Sequence, residues 1–272
     1  MARFNLITLM AVGALICSCG EDEPSVTGPQ RPDYTPKFGT VFDERNGRTY
    51  RTTVINGLEW MAENLDYAVD SSSCYNDDPV NCEKYGRLYR WEVAMALDSN
   101  AFNVRQWTAG KKYQGVCPQG WRMPTLNDFK SLIDFVYEWK RADNPFFLEE
   151  IQYDEWYYLK SKDGWANTNP ENDYDGGYTR EYGNMRQSVI TKNGSDAFGF
   201  SLLPAGWRDY DKYDKNGRCA AFWTSDEREI DEREFSYSDN YYATIANYYC
   251  NEHYNNEDIW QNYRVSVRCV KD

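Results

Sequence analysis

CPQGWRMPT at Cys117–Thr125, FGFSLLPAGWR at Phe198–Arg208 and RVSVRCVKD at Arg264–Asp272 decide how this chain folds. The first stretch opens on a cysteine and leads into a helix. The last reads as a strand and carries Cys269 three residues from its end. A bridge between the two cysteines would tie the helix entry to the final strand. It would close nearly the whole second half of the chain into one loop.

Working outward, the clearest helix starts at Thr125. Pro124 precedes it, Thr125 caps it, and Asp128 at the third helical position completes a box-like start. Leu126, Phe129, Leu132, Ile133 and Val136 follow at three- and four-residue steps and form one apolar stripe. Only packing against a sheet holds so short a helix in place. Trp121 and Trp207, each in a Gly-Trp-Arg step, are read as core. Upstream, Gly39–Leu65 contains Asn46-Gly47 and Asn56-Gly57, two hairpin turns between β-branched and aromatic runs, which predicts a three-stranded meander. Ser73–Cys82 reads as a polar loop, and Gly86–Trp91 leads into a short helix over EVAMAL. Phe146–Lys160 is either a second helix or irregular. Asp163–Ser195, rich in Gly, Asn and Asp, reads as a long ordered loop. Phe198–Leu203, Ala220–Ser225, Tyr241–Tyr248 and Val265–Val270 read as strands.

The first nineteen residues read as an export signal. Arg3 supplies a short positive region and Leu6–Ile16 an apolar run too short to span a bilayer. Ile16-Cys17-Ser18-Cys19 resembles a bacterial lipobox, which makes Cys19 the expected lipidation site. An ordinary signal peptide cut at a small residue is the rival reading. Acyl chains contribute ~0.8 kcal/mol per buried methylene, so several would anchor the protein firmly. Residues 20–38, with Pro24, Pro29, Pro32 and Pro36 and no apolar period, read as a flexible tether. Glu21-Asp22-Glu23 is similar to signals that send some lipoproteins to the outer cell surface. Residues 39–272 then form one domain, since no second linker interrupts them.

The net charge is −13, and loss of Arg3 with the signal would make it −14 (−13 less one positive charge). Nucleic acid and anionic lipid are therefore excluded as partners, because both need a basic face. A membrane contact would run through the lipid anchor only. Cys74, Cys82, Cys117, Cys219, Cys250 and Cys269 remain after Cys19, and an even set in an exported chain points to three disulfides. Six cysteines allow fifteen connectivities. The set favoured here is Cys74–Cys82, Cys117–Cys269 and Cys219–Cys250. Zinc is the rival, but no CxxC pair exists and His253 is the only histidine.

Seven blocks in order resemble the Fibrobacter succinogenes major paralogous domain family. They are INGLEWMAENLDY at Ile55–Tyr67, YGRLYRWEVAM at Tyr85–Met95, CPQGWRMPTLNDF at Cys117–Phe129, LKS at Leu159–Ser161 with Gly164-Trp165, DAFGFSLLPAGWR at Asp196–Arg208, FWTSDE at Phe222–Glu227, and SVRCVKD at Ser266–Asp272. The family looks related to the C-type lectin-like fold. That resemblance implies an α+β domain of mostly antiparallel strands, one main helix and long ordered loops. Cys219 and Cys250 look like additions to the family pattern. The resemblance implies no particular activity.

Four chemistries are conceivable on that scaffold. Lectin calcium sites use a Pro-flanked Glu/Asn pair, and Asn169-Pro170-Glu171-Asn172-Asp173 offers such oxygens. FWTSDE lacks the Trp-Asn-Asp order that would complete the site, so no metal ligand is assigned. Sulfatase-modifying enzymes, of related fold, use a reactive cysteine pair, whereas every mature cysteine here is explained as a bridge. A nucleophilic triad lacks a base other than His253, which lies in a polar stretch. A glycosidase needs two carboxylates at a set separation, and 43 acidic residues leave that pair unassigned. The expectation is an exported binding module rather than an enzyme, with no required cofactor. Polysaccharide or another surface protein is its partner at the outer membrane or cell surface. A hydrolase or oxidase on the same scaffold, and a purely structural envelope protein, are the alternatives. Aromatic content is 17%, and Tyr and Trp faces stack well on sugar rings. The expected ligand-binding residues are Trp165, Asn169, Glu171, Tyr174, Tyr241, Tyr242 and Trp260.

Overall fold

The computed structural model describes residues 34–97, 111–143, 155–166, 193–229, 242–250, 254–255, 258–259 and 263–272. Residues 1–33, expected as signal and tether, and residues 167–192 of the expected loop lie outside these, whereas residues 34–38 of the expected tether are described, and Lys37 and Phe38 already belong to the first strand. The described part is α+β, with two largely antiparallel sheets and few helices.

The predicted meander is present. Strands β1 (Lys37–Asp43), β2 (Arg48–Ile55) and β3 (Leu58–Met61) are antiparallel. Gly47 and Gly57 turn them at φ +71° and +77°, a region that glycine enters without a Cβ clash. The last strand, β12 (Val270–Lys271), completes this sheet by pairing with β3. The first and last strands among the described residues thus share one sheet.

The polar loop of Ser73–Cys82 is more ordered than its composition predicts. Asp78 caps helix α1 (Pro79–Tyr85) by accepting from the Val80 N–H at 3.0 Å, with Pro79 at the start. Strand β4 (Leu88–Tyr89) and helix α2 (Trp91–Ala94) follow. The main helix, α3 (Leu126–Asp143), begins with the expected box. Thr125 Oγ accepts from the Asp128 N–H at 3.1 Å, and Asp128 Oδ2 accepts from the Thr125 N–H at 2.7 Å. Phe129, Leu132 and Val136 are buried, and Leu126 and Ile133 partly so. Of Phe146–Lys160, the described part contains only the short helix α4 (Glu155–Leu159).

Phe198–Leu203 is not a strand. Asp196, Gly199 and Ser201 have positive φ, and the Asp196 carboxylate takes the Ser201 N–H and hydroxyl, each at 2.7 Å. A side chain replaces the ladder there, and only Leu202 bridges to Lys160. The alternate burial of Phe198, Phe200 and Leu202 imitates a strand's period.

The second sheet orders β10 (Asp258–Ile259), β8 (Tyr242–Cys250), β7 (Cys219–Glu229), β11 (Tyr263–Ser266), β5 (Trp207–Asp209) and β6 (Lys212–Asp214). Strand β9 (Tyr254–Asn255) pairs with β8, and β4 pairs with β11. Val265–Val270, predicted as one strand, is two. Strand β11 belongs to the second sheet and β12 to the first, with Val267–Cys269 as the corner between them.

That corner is a seam. Cys269 bonds to Cys117. Arg268 is fully buried between the Phe200 and Phe222 rings, 4.5 and 5.2 Å from their centroids. Its guanidinium donates to Asn64 Oδ1 at 2.6 and 3.1 Å, to Ser201 O at 3.2 Å and to Phe200 O. Asn64 passes the contact on to Tyr85 O and Ser266 Oγ. Gly86, at φ +74°, lies so close that a Cβ there would stand 2.7–2.9 Å from Asn64 and Leu65. At the chain end Arg122 pairs with Asp128 and Asp272, both at 2.7 Å.

Cys74–Cys82 is the second bridge. Cys219 is also disulfide-bonded, and the β7–β8 ladder sets Cys250 directly opposite it. Two apolar clusters fill the interior. One gathers Tyr50, Met61, Tyr89, Trp91, Trp121 and Trp223, and the other Trp60, Phe129, Phe198, Phe200 and Phe222. Trp121 is buried as expected, while Trp207 is half-buried against the first cluster.

Candidate functional site

The β5–β6 hairpin, β11 and the loop before α1 build one polar, aromatic face. Its frame is register. Trp207 faces Asp214 and Arg208 faces Tyr213, so the Arg208 guanidinium lies 4.9 Å from the Tyr213 ring and donates to its hydroxyl at 3.0 Å. On the other side of β5, Arg208 stands directly opposite Arg264 of β11. Val265 faces Tyr89 at the end of β4, and Arg90, the next residue, is near enough for its charge to act on Arg264. Three guanidiniums from β5, β11 and the end of β4 therefore gather beside a tyrosine. Like charges directly opposite in a sheet are destabilising, so the cluster needs a reason.

The arginines have few counter-ions. Arg208 reaches Asp77 at 3.6 Å and Asp211 at 3.5 Å, and Arg90 reaches Glu92 at 3.8 Å. Arg264 has no carboxylate in ion-pair contact among the described residues. It donates only to two backbone carbonyls, Ser71 O at 3.2 Å and Tyr210 O at 3.4 Å. Arg208 Nε donates to the same Tyr210 carbonyl at 3.0 Å. Burial first, then the charges of Arg90 and Arg208, pull the Arg264 pKa below its usual range. Burial likewise raises the Glu92 carboxyl.

Tyrosines rim the cluster. The Tyr75 ring packs on Tyr213 with centroids 5.1 Å apart, and the Tyr213 hydroxyl donates to Asp77 Oδ1 at 2.6 Å. Burial, followed by that contact with Asp77, raises the Tyr213 pKa. Tyr210 projects at the hairpin tip, 65% exposed, and Tyr263 stands opposite Asp209. Burial and then Asp209 raise the Tyr263 hydroxyl as well. Among the described residues, Arg90 Nε and Glu92 Oε2 are buried without a hydrogen-bond partner. Ser71, Asn76, Asp77, Tyr210 and Lys215 all hold left-handed backbone around this face. Unpaired buried polar atoms and strained backbone are costly in a fold and gather where a ligand uses them.

The family model of the Fibrobacter succinogenes major domain matches residues 54–271. The chain belongs to this family. No curated protein and no solved structure matches it. The Fibrobacter succinogenes major domain here thus includes the whole Arg–Tyr face and the seam beneath it.

Within this family domain, Trp165 is not a ligand-facing ring. It is 6% exposed in the second apolar cluster, and its indole N–H donates to Ser161 Oγ and Leu202 O, each at 3.1 Å. The next residue, Ala166, donates its N–H to Gly217 O at 2.7 Å. Asn169, Glu171, Tyr174, Tyr241 and Trp260 lie outside the described residues, as does Cys19. Tyr242 opens β8, with its side chain outside the description. No group of three His, Cys, Asp or Glu side chains among the described residues is placed to hold a metal. No described helix is long and apolar enough to cross a membrane.

Sequence reading missed Arg90, Arg208, Arg264, Tyr75 and Tyr213. The one signal was three arginines in strand-like segments of a strongly acidic chain. Only the strand order brings them together.

Proposed function

We propose that this family member is an exported, lipid-anchored envelope protein with a C-type lectin-like domain that binds polysaccharide. The observation that carries the reading is the Tyr75–Tyr213 ring pair, in which the Tyr213 hydroxyl is held between Arg208 and Asp77. Aromatic faces pack on the C–H surfaces of sugar rings. Adjacent guanidiniums donate to hydroxyls, and carboxylates accept from them. The Tyr213 hydroxyl is braced from both sides, so little of that side chain's entropy remains to be lost on binding. Export is supported by the disulfides, which persist in oxidising compartments. The lectin-like reading is supported by the order of Cys117, α3, a long excursion and a terminal strand bridged back by Cys269. Cys19 supplies the anchor.

A glycan screen on the purified protein, followed by titration of Tyr75→Ala and Tyr213→Ala, tests the reading. Each variant should bind the selected glycan ~5–10-fold more weakly with little change in melting temperature. A screen without hits, or loss of folding together with binding, would remove the ring pair from consideration. Fatty-acid labelling that tags the wild type and not Cys19→Ala tests the anchor.

A further inference from the structure

The arginine cluster adds a chemical class to the glycan reading above, on which this inference rests. We propose that the ligand carries a single carboxylate, an isolated uronic acid on an otherwise neutral glycan chain, and that Arg264 receives it. Arg208 and Arg90 each have an acidic neighbour, though a distant one at 3.5–3.8 Å. Arg264 sits between them with none in contact among the described residues. Arg264 is partly exposed, and its Nη2 makes no hydrogen bond among those residues, so that side of its fork has donors to offer. A carboxylate matches that planar fork with two parallel bonds.

An anion at Arg264 would also relieve the repulsion with Arg208 directly across the ladder. That gain exists only in the bound state, which gives the charge its selectivity. The acceptors on the same face limit the ligand to little negative charge. Asp77, Asp209, Asp211, Asp214 and Glu92 surround the cluster, and the whole chain carries −13. A densely charged polymer would meet them along its length, whereas one carboxylate meets only the arginines. The Tyr75–Tyr213 rings next to the cluster offer the neighbouring neutral sugar its stacking surface.

The test compares two ligands that differ in one group. One is a neutral oligosaccharide bearing a terminal glucuronate. The other is the same oligosaccharide with that carboxylate reduced to the alcohol. Calorimetric titration of the purified chain should show the acid form binding about tenfold or more tightly, a preference that shrinks as salt is raised. Arg264→Gln should abolish the preference, with affinity for the acid form falling to that for the reduced form. Arg264→Lys should keep part of the preference. Circular dichroism melting of Arg264→Gln checks that the fold persists. If it does not, Arg90→Gln provides the same comparison at the cluster's edge, with a smaller loss of preference expected.

Equal binding of the two oligosaccharides would overturn the carboxylate proposal and leave the glycan reading standing. So would an acid preference that survives Arg264→Gln. Absence of binding to these probes and to the whole neutral panel would sink both. Preferential binding of a peptide C-terminal carboxylate over the glucuronate would replace the glycan with a protein partner.

Discussion

Arg264 and Arg268 stand on either side of one corner in the terminal segment, and their surroundings differ in every respect. Arg268 is fully buried, clasped by two phenylalanine rings, and its bonds go to Asn64, Phe200 and Ser201. Its charge is solvated by neutral oxygens alone, and burial pulls its pKa down to about 9, still above neutrality. Arg264 is half-exposed, with two long bonds to carbonyls and like charges for neighbours. The seam spends a cation on holding two sheets together. Every guanidinium nitrogen of Arg268 meets a protein acceptor, whereas Nη2 of Arg264 meets none among the described residues.

Four measurements would break or sharpen this contrast. The largest effect is expected from the seam's disulfide. Cys117–Cys269 spans 152 residues and Cys74–Cys82 only 8. In the chain-entropy model these are worth ~5 and ~2.5 kcal/mol. The double change Cys117→Ser, Cys269→Ser should lower the denaturant midpoint about twice as far as Cys74→Ser, Cys82→Ser. Equal losses would mean that the seam owes its stability to packing.

Arg268→Met keeps the length of the side chain but leaves Asn64 Oδ1 and two buried carbonyls without their donor. A loss of ~3 kcal/mol is expected in urea unfolding, since each orphaned acceptor costs ~1–3 kcal/mol and relief of the buried charge offsets part. Arg264→Gln should stay within about 0.5 kcal/mol of wild type in the same experiment. Similar losses at the two sites would erase the distinction.

Trp165→Ala should cost about 3 kcal/mol through cavity formation and two lost acceptor contacts. Its effect should register in the melting temperature, where Tyr213→Ala should register in binding. A stable Trp165→Ala protein with impaired glycan binding would return that ring to the ligand site.

The smallest effect concerns acid. The hydrogen bond from Arg122, then that from Lys112, holds the Asp272 carboxyl down at about 2. Burial pushes Asp128 up, but hydrogen bonds from Arg122 and Thr125 outweigh it and hold this group below its ordinary value too. A depressed folded pKa gives stability that is present above the unfolded value of ~3.9 and lost as pH falls toward 2. Asp272→Asn should therefore narrow the gap in melting temperature between pH 7 and pH 2.5. Asp272 is about half exposed, so the change should stay below ~1 kcal/mol. An unchanged gap would leave the seam's acid sensitivity to other groups.

Local chemistry was legible in the sequence because its causes lie within a few residues. Asn46-Gly47 and Asn56-Gly57 make their turns wherever the strands beside them go. Thr125 and Asp128 close their box across three residues. The stripe from Phe129 to Val136 needs only the helical period, and the Cys117 and Cys269 blocks carried the long bridge. Phe198–Leu203 failed because alternate burial is not itself a ladder. Asp196 supplies the bonds that a neighbouring strand would have made. Val265–Val270 failed because a corner between sheets leaves no mark in hydropathy, and Arg268 at its centre reads as a surface residue. The face was illegible for a stronger reason. Arg90, Arg208 and Arg264 come from segments far apart in the chain, and no local period links them. Their adjacency is set by β4, β11 and β5 pairing in one register, which depends on the packing of the whole domain. Sequence determined the turns, the helix and the staples, where each interaction is short in range. Tertiary structure alone decided which arginine is fully buried and which only partly, because burial is a property of what the rest of the chain brings near.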